Sequence, residues 1–385
     1  MPYEVSISRC ATYDEPPLRQ AIESALAPLG GLSHFISPGQ RVLLKLNLLS
    51  ANVPERAVTT HPALVKVVVR MVQELGATAV VGDSPAGVNT AGAYQALLKK
   101  TGIRQVIEET GCEVVNFDEH THDVSAEKAA VFKQFTAVTI PEEVDVIIGL
   151  PKLKTHQFAY YTGAVKLLYG FLPGLKKAEY HLHAGKDVNR FAELLLDVAE
   201  TFPPALNIMD AVVGMEGNGP SNGTPRQVGL LAASTSCTAL DFVMTHLIGL
   251  DPLAVPTVRA AAQRGIGPQA LEEITVHGEA LEDVRVPDYR QVDTLKHAMM
   301  PPWLADLSSW LFATRPLIDK AKCIRCGKCA EICPPHAIAF TKGTLPRINH
   351  TPCLRCYCCH EVCPADAIRV ARPRIAFGDG SPRRR

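Results

Sequence analysis

The sequence lacks an excess of charge of either sign, because its 385 residues include 39 lysines and arginines and 39 aspartates and glutamates. This balance argues against a chain that binds nucleic acid or an anionic membrane through its overall charge. The N-terminal residues Met1 to Val5 contain neither a basic stretch nor an apolar core, so no secretory signal is visible. No apolar run approaches the roughly 18 residues that are needed to cross a bilayer. We therefore expect a soluble, cytoplasmic protein with no transmembrane segment.

The cysteines lack the even distribution of a disulfide scaffold. Nine of the twelve lie between Cys323 and Cys363, and the other three are scattered far upstream. A disulfide framework would spread its cysteines over a small secreted chain. Clustered cysteines in a chain without a signal sequence indicate metal binding instead.

Two cysteine runs share one spacing, C-x2-C-x2-C-x3-C-P. The first extends from Cys323 to Pro334 and the second from Cys353 to Pro364. This is the spacing of [4Fe–4S] ligation, in which the fourth cysteine of each run binds the other cluster. We therefore predict two [4Fe–4S] clusters. The first would bind Cys323, Cys326, Cys329 and Cys363, and the second Cys353, Cys356, Cys359 and Cys333.

The segment around these runs resembles a two-cluster bacterial ferredoxin. The alternative is a pair of zinc sites, but zinc usually takes paired C-x2-C knuckles separated by a longer loop. Cys358 is not needed by the spacing. We interpret it as a small loop residue rather than as a substitute ligand or a reactive thiol. Because each cluster receives four thiolates, no iron is left open, and we expect electron transfer rather than substrate binding at the clusters.

The chain before this segment alternates strand-like and helix-like stretches. Residues 41–47 form an apolar, β-rich run, and in residues 62–75 the apolar side chains recur at three- and four-residue steps, as on one helix face. The alternation predicts an α/β domain with a mostly parallel sheet covered by helices, beside a small C-terminal α+β domain like a bacterial ferredoxin. Further strands are expected at 77–83, 113–117, 144–150, 205–213 and 228–233, and helices at 90–100, 188–201, 239–248 and 254–264.

These patterns predict four parts of the chain: an α/β domain at 1–300, a linker or docking helix at 301–320, the ferredoxin-like domain at 321–371 and a tail at 372–385. The linker contains Trp303, Leu307 and Trp310 at helical spacing. We interpret it as a helix that docks the small domain onto the large one. A helix lying on a membrane surface would show the same pattern.

Polar residues follow the predicted strands, at the sheet edge where ligands bind in such folds. Lys45, Asn47 and Asp83 close the first two strands, and residues 144–150 lead into a run from Lys152 to His156. If the chain stays extended there, both lysines of that run and the histidine share one side. Such cations suit a carboxylate or phosphate, and histidine can transfer a proton near neutral pH. The alternative is a solvated loop whose lysines keep an edge soluble.

Three other features allow two interpretations each. The glycine-rich residues 214–223 could hold an anion through backbone amides or form a simple turn. His181 and His183 could bind a metal from one face of an extended segment, although two surface histidines are the simpler interpretation. Asp210, like Asp83, could be an acid–base group or a structural cap. No nucleotide-binding motif is present in the sequence. This absence does not exclude a flavin or an additional metal.

Several short motifs are similar to the domain of unknown function 362 family, and they occur in its order. They are Leu44–Asn47, Thr59–Pro62, Gly82–Pro85, Pro151–His156, Gly163–Lys166 and Gly217–Pro220. The resemblance implies a shared fold and a shared site, and a ferredoxin-like tail is a common companion of that domain. Leu46 and Leu167 depart from the pattern, where proline and asparagine are expected.

The union of an electron relay with a polar strand edge predicts a redox enzyme. It would take low-potential electrons from a partner protein and deliver them to an anionic small molecule. In this hypothesis His156, oriented by Asp83, supplies a proton. The residues expected to bind the anion are Lys45, Asn47, Lys152, Lys154 and Lys166. The alternatives are an electron carrier or cofactor assembly factor that acts on a protein partner, and a non-redox enzyme with structural clusters.

Overall fold

The computed structural model describes residues 3–87, 90–292, 294 and 314–371. Most of the predicted docking segment at 301–320 and all of the tail at 372–385 lie outside these residues. In the part of the chain that is described, no helix combines the length and the apolar character that a bilayer crossing needs.

The helices of the larger domain are α1 (Glu15–Leu26), α2 (Pro62–Glu74), α3 (Ala91–Lys100), α4 (Ile103–Thr110), α5 (Ala164–Leu167), α6 (Gly174–Ala184), α7 (Val188–Thr201), α8 (Cys237–Leu247), α9 (Pro256–Gln263) and α10 (Leu281–Val284). Its strands are β1 (Tyr3–Arg9), β2 (Arg41–Lys45), β3 (Thr78–Asp83), β4 (Glu113–Asn116), β5 (Thr121–Ser125), β6 (Gln134–Val138), β7 (Val146–Gly149), β8 (Lys152–His156), β9 (Tyr160–Thr162), β10 (Leu206–Glu216), β11 (Thr224–Ser234) and β12 (Ile274–Gly278).

One ten-stranded sheet organises this domain, in the order β12-β1-β11-β10-β7-β2-β3-β4. In addition, β8 pairs with β10, and β9 pairs with β8. From β10 to β4 the neighbours on this path are parallel, whereas β11 is antiparallel to both of its neighbours. The chain leaves β7 and continues as β8 along the second half of the long strand β10. The fold is therefore the predicted α/β class with a mostly parallel sheet.

Helices cover both faces of the sheet because its strands are apolar on both sides. In β2, Val42 and Leu44 pack into the core that includes α1 and α2, whereas Leu43 packs into the core that includes α7. Parallel strands carry their polar residues at one edge, and Lys45 and Asp83 end β2 and β3 there. This edge faces the small domain.

The small domain contains β13 (Arg315–Ile318), α11 (Lys328–Glu331), β14 (Ile338–Ala339), β15 (Arg347–Ile348), α12 (Cys358–Glu361) and β16 (Ile368–Ala371). β13 pairs with β16 and β14 pairs with β15, both antiparallel. Each cysteine run supplies one short helix, and after each run a backbone amide, of Ala337 or Ala367, donates to the sulfur of the run's last cysteine. This repeated geometry gives the α+β ferredoxin-like fold that the two cysteine runs predicted.

The strands and helices predicted in the larger domain are all present, with ends that differ by a few residues. The neighbouring strands β1 and β12 at one end of the sheet and the hairpin β5–β6 were not predicted. One local prediction was wrong: His181 and His183 lie on helix α6 and not on an extended segment. Residues two apart on a helix point to different faces, and His181 is buried while His183 is exposed.

Candidate functional site at the domain boundary

Lys45 and Asp83 form a buried ion pair at the sheet edge. Lys45 Nζ lies 2.5 Å from Asp83 Oδ1, and the two side chains are 0% and 5% exposed. The second carboxylate oxygen accepts a hydrogen bond from the backbone amide of Leu48 at 2.6 Å. Burial lowers the pKa of Lys45, and the Asp83 charge opposes that shift. Lys45 is therefore engaged by protein groups and does not line the cavity described below.

Lys152 and Asp210 form a second buried pair, between β8 and β10. Lys152 Nζ donates to Asp210 Oδ2 at 2.8 Å, and the Tyr13 hydroxyl donates to Asp210 Oδ1 at 2.7 Å. The backbone amide of His61 also donates to Asp210, at 2.9 Å. Burial lowers the pKa of Lys152, and Asp210 opposes the shift. This pair joins strands and a helix start inside the protein.

Lys154 is buried without a carboxylate partner. Its Nζ donates to Asn47 Oδ1 at 2.6 Å and to the Val58 carbonyl at 2.7 Å. Burial lowers its pKa to about 7, and the neighbouring Lys166 cation acts in the same direction. Lys154 therefore positions Asn47, and it holds its proton less firmly than an exposed lysine.

His156 is fully buried and points toward the small domain. Its Nδ1 accepts hydrogen bonds from the amides of Phe158 and Ala159, both at 3.1 Å. Nδ1 is thus unprotonated, and Nε2 carries the proton. Nε2 lies 3.0 Å from Oε1 of Glu361, on α12. Burial lowers the pKa of His156 to about 4, and the Lys166 cation adds to this.

The predicted relation between His156 and Asp83 is therefore wrong. Asp83 is occupied by Lys45 and the Leu48 amide, and Glu361 of the small domain takes the place beside His156. The alternative of a solvated loop also fails, because every residue of β8 is buried. Glu361 could not be predicted as a partner because it is far away in the sequence.

A cavity of about 70 Å³ lies where the strand ends meet the small domain. By comparison with the space that one water occupies, it has room for a few waters or a small anion. Its walls on the side of the large domain include Asn47, Asp83, Lys166, Lys177 and His181. Those on the side of the small domain are Ile332, Cys358, Glu361 and Val362.

Lys166 is the predicted lysine that reaches this cavity. It lies on the short helix α5, whose first amides, of Ala164 and Val165, donate to the buried carboxylate of Asp241 at 2.7 and 3.0 Å. Its ammonium group lies 5.7 Å from the centre of the Tyr169 ring. Within the described residues, Lys166 forms no hydrogen bond or ion pair. Its charge is therefore available to a bound anion.

His181 also lines the cavity and was not predicted as part of a site with Lys166. It is 4% exposed, and its ring stacks on Phe191 with centroids 4.2 Å apart. In the described part of the chain its Nδ1 is buried without a hydrogen-bond partner. Burial lowers its pKa to about 3, so the ring is neutral near pH 7. The signal in the sequence is a run of helix-forming residues bounded by Pro173 and Gly185. A helix there, α6, places His181 on its buried face.

Lys177 is a further lysine of the cavity wall. Its Nζ donates to the carbonyl and the hydroxyl oxygen of Ser84. Burial lowers its pKa to about 8, although nearby aspartates oppose the shift. It lies on α6 beside the exposed Lys176, and sequence alone does not distinguish these two lysines.

The predicted cluster ligands form two groups in space. One group lines a single small cavity: Cys323, Cys326, Cys329 and Cys363. In the other group, Cys333 and Cys359 both have Cys353 and Cys356 as close neighbours. Four sulfurs and no other ligand atom suit a [4Fe–4S] cluster. The amides that donate to Cys333 and Cys363, both at 3.2 Å, would stabilise thiolate charge. Across the described residues, no group of three histidines, cysteines or carboxylates is arranged for a single metal ion.

Cys358 lies in the wall of the cavity and not in a loop. It begins α12, is buried, and is adjacent in sequence to Cys359. The prediction that Cys358 is a loop residue is therefore wrong about its location, since it lies on a helix. The second group of cysteines is thus next to the cavity, since its member Cys356 is also in contact with Cys358 and Ile332.

The glycine-rich segment after β10 holds the small domain in place. Ser221 donates to the Glu361 carbonyl at 2.9 Å, and His360 Nε2 lies 3.2 Å from the Asn218 carbonyl. Beside it, Arg56 pairs with Asp366 at 2.7 Å. The segment therefore contacts the small domain and fixes α12 against the cavity.

We expect Gly219→Ala to loosen this attachment. A Cβ at Gly219 would overlap the backbone carbonyl of Thr155, so the segment must move away from β8. Limited proteolysis should then release the small domain several-fold faster than in the unaltered protein. Gly217→Ala is less suitable because its φ of 74° adds strain. The matched control is Gly92→Ala on α3, where a Cβ has open space. Equal cleavage rates would show that the segment does not hold the domains together.

Comparisons with known proteins agree with this two-part architecture. Residues 42–246 match the family model described as Domain of unknown function (DUF362), and residues 316–370 match a 4Fe-4S dicluster domain. A thylakoid-associated protein of Synechocystis sp. is 38% identical over 292 residues, which cover 74% of this chain and 89% of that protein.

Two solved structures show a partial similarity to this chain. The lactate racemase apoprotein of Thermoanaerobacterium thermosaccharolyticum is 13% identical, covers 61% of this chain and 54% of its own, and has a TM-score of 0.39. A Thermotoga maritima protein is also 13% identical, with 52% of each chain covered and a TM-score of 0.34. The chain thus spans about half the length of the solved structures that it matches.

Proposed function

The chain belongs to the DUF362 family and carries a 4Fe-4S dicluster domain, and from these premises we propose that it is an oxidoreductase which reduces a small anion in the cavity between the two domains. Each cysteine group would hold one [4Fe–4S] cluster. When bound, the clusters supply single electrons. The observation that carries the proposal is that one cavity is lined both by Lys166 and by Cys358, the neighbour of a predicted cluster ligand.

In this proposal the large domain binds and orients the anion. Lys166 provides a cation without a partner among the described residues, and His181 provides a buried nitrogen without a partner there. A buried polar atom that lacks a hydrogen bond costs free energy, which a ligand removes when it binds. Asn47, held by Lys154, offers its amide group to the same space.

A reduction of this kind adds electrons to the anion and takes up protons. Lys177 is better placed to donate a proton than the predicted His156. It lines the cavity and has a pKa lowered by burial to about 8, close to the pH at which a group exchanges protons readily. His156 is outside the cavity wall, and both its nitrogens face protein groups. Its role would be to position Glu361.

We expect Lys166→Met to weaken anion binding by about 10- to 100-fold, because a charged hydrogen bond contributes about 1.5–3 kcal/mol. The full-length protein would be prepared anaerobically, its clusters reduced and excess reductant removed. Cluster reoxidation is then followed by absorbance after addition of a small-molecule cell extract. Lys176→Met is the matched control, because Lys176 is an exposed lysine on the next helix, α6, and pairs with Glu179.

Acceleration by the extract that is lost in Lys166→Met and kept in Lys176→Met would support the reductase. If only protein fractions accelerate reoxidation, the alternative of an electron carrier or assembly factor with a protein partner is favoured. An activity that does not depend on the reduction state of the clusters would mean that the clusters are structural.

The cytoplasmic location predicted from the sequence stays part of this proposal. The relative from Synechocystis is named for thylakoid association. Fractionation of cells that express this chain, with and without a salt wash of the membranes, would distinguish a cytoplasmic protein from one attached to a membrane surface.

A further inference from the structure

The small domain has an excess of basic side chains in a chain whose charged side chains balance overall. Between residues 314 and 371 there are nine lysines and arginines against four aspartates and glutamates, an excess of five. The rest of the chain must carry the opposite excess. Two bound [4Fe–4S] clusters with their eight thiolates would contribute about −4, so the basic side chains act through their position and not through the net charge of the domain.

The positive residues surround the more exposed cysteine group. Cys326 of this group is exposed, and the neighbouring Ile324 is 63% exposed. Arg325 and Lys328 line the cavity of this group. An adjoining open groove of about 540 Å³, which shares Ile318 and Pro346 with that cavity, includes Lys320 and Arg347. We call Lys320, Arg325, Lys328 and Arg347 the basic face.

The side chains of the basic face have no carboxylate partner within the described residues. All four side chains belong to exposed residues, and none forms an ion pair with another described residue. In contrast, the second cysteine group is mostly buried against the large domain, beside the cavity of the proposed reaction. The small domain therefore has one end open to solvent and one end closed by the large domain.

We propose that the basic face is the docking surface for an acidic electron-carrier protein. One electron leaves the reduced carrier, which becomes oxidised, and enters the exposed cysteine group's cluster, with no bond made or broken. This inference rests on the proposed function in so far as both cysteine groups hold clusters. It adds the direction of electron flow, from the basic face toward the cavity between the domains.

An apolar centre with a charged rim is the composition of a protein-binding surface. Ile324 provides the centre, and the four basic side chains provide the rim. Opposite charge on a partner raises the association rate and orients the encounter. A polynucleotide would bind the basic side chains, but its binding would not account for an exposed isoleucine beside a cluster site.

The test uses the full-length protein with its clusters and a reduced acidic two-cluster ferredoxin as the probe. Stopped-flow absorbance gives the second-order rate of cluster reduction, and calorimetry with the oxidised probe gives the affinity. Lys320→Glu/Arg347→Glu changes the groove without altering residues adjacent to the cysteines. We expect its rate and affinity to fall about 10- to 100-fold at low salt, and the difference to shrink as salt is added.

Lys328→Glu is a second variant on the cavity side, and iron content with full reduction by dithionite verifies that its clusters are intact. Lys128→Glu/Lys133→Glu is the matched control, since both lysines are exposed on the large domain and lack ion pairs in the described structure. Unchanged rates in both test variants, or rates that rise with salt, would overturn the docking surface. So would a polynucleotide that binds as tightly as the ferredoxin. Because no substrate is present, these results are independent of the proposed anion reduction.

Discussion

Cys359→Ala is expected to remove about half of the iron and acid-labile sulfide from the protein, whereas its neighbour variant Cys358→Ala is expected to keep all of it. A [4Fe–4S] cluster needs its full set of thiolates, and Cys359 lies beside Cys333, Cys353 and Cys356. Cys358 points into the wall of the cavity at the domain boundary. Iron and sulfide analysis of anaerobically purified protein measures both variants directly.

Because the fourth cysteine of each run is assigned to the other cluster, the variants should pair across the two runs. Cys333→Ala should reproduce the spectrum of Cys359→Ala, although the two cysteines belong to different runs. Cys363→Ala should affect the other cluster, although it is close to Cys359 in sequence. Electron paramagnetic resonance of the reduced variants would distinguish the two remaining clusters. Loss of iron in Cys358→Ala, or matching spectra for Cys359→Ala and Cys363→Ala, would contradict the assignment.

The cysteine sets could be predicted because cluster ligation depends on local spacing. Each run brings three thiolates together within a few residues, and only one ligand per cluster comes from elsewhere. The strands were predictable for a similar reason, since a buried parallel strand is a continuous apolar run. In both cases the information lies within a short segment.

The polar site was less predictable because its partners are distant in sequence. The run from Lys152 to His156 has the composition of a half-exposed strand, yet it is entirely buried. Lys152 is neutralised by Asp210, and Lys154 is bound by Asn47, which lies 107 residues away. Only Lys166, Asn47 and Asp83 of the predicted anion and catalytic residues line the cavity. Periodicity shows which side chains share a face but not which charges already have partners.

The burial of Lys152 changes what its substitution measures. Lys152 and Asp210 are 1% and 0% exposed, and removal of one partner from such a pair leaves a charge in a medium of low polarity. We expect Lys152→Met to lower the free energy of unfolding by about 3–5 kcal/mol. The hydroxyl of Tyr13 and the amide of His61 still donate to Asp210, so the lower part of this range is expected.

The double variant Lys152→Met/Asp210→Leu should recover only part of that loss. It removes the unpaired buried charge, but the Tyr13 hydroxyl and the His61 amide lose the carboxylate that accepts their hydrogen bonds. Urea unfolding followed by far-ultraviolet circular dichroism measures the midpoints, compared at equal slope. Lys154→Met is the control, since its acceptors are neutral and the expected loss is only about 1–3 kcal/mol. Loss of activity in Lys152→Met that returns in the double variant would assign Lys152 to stability. If Lys152→Met is as stable as the unaltered protein and activity is lost in both variants, Lys152 would instead bind the anion, as the sequence predicted.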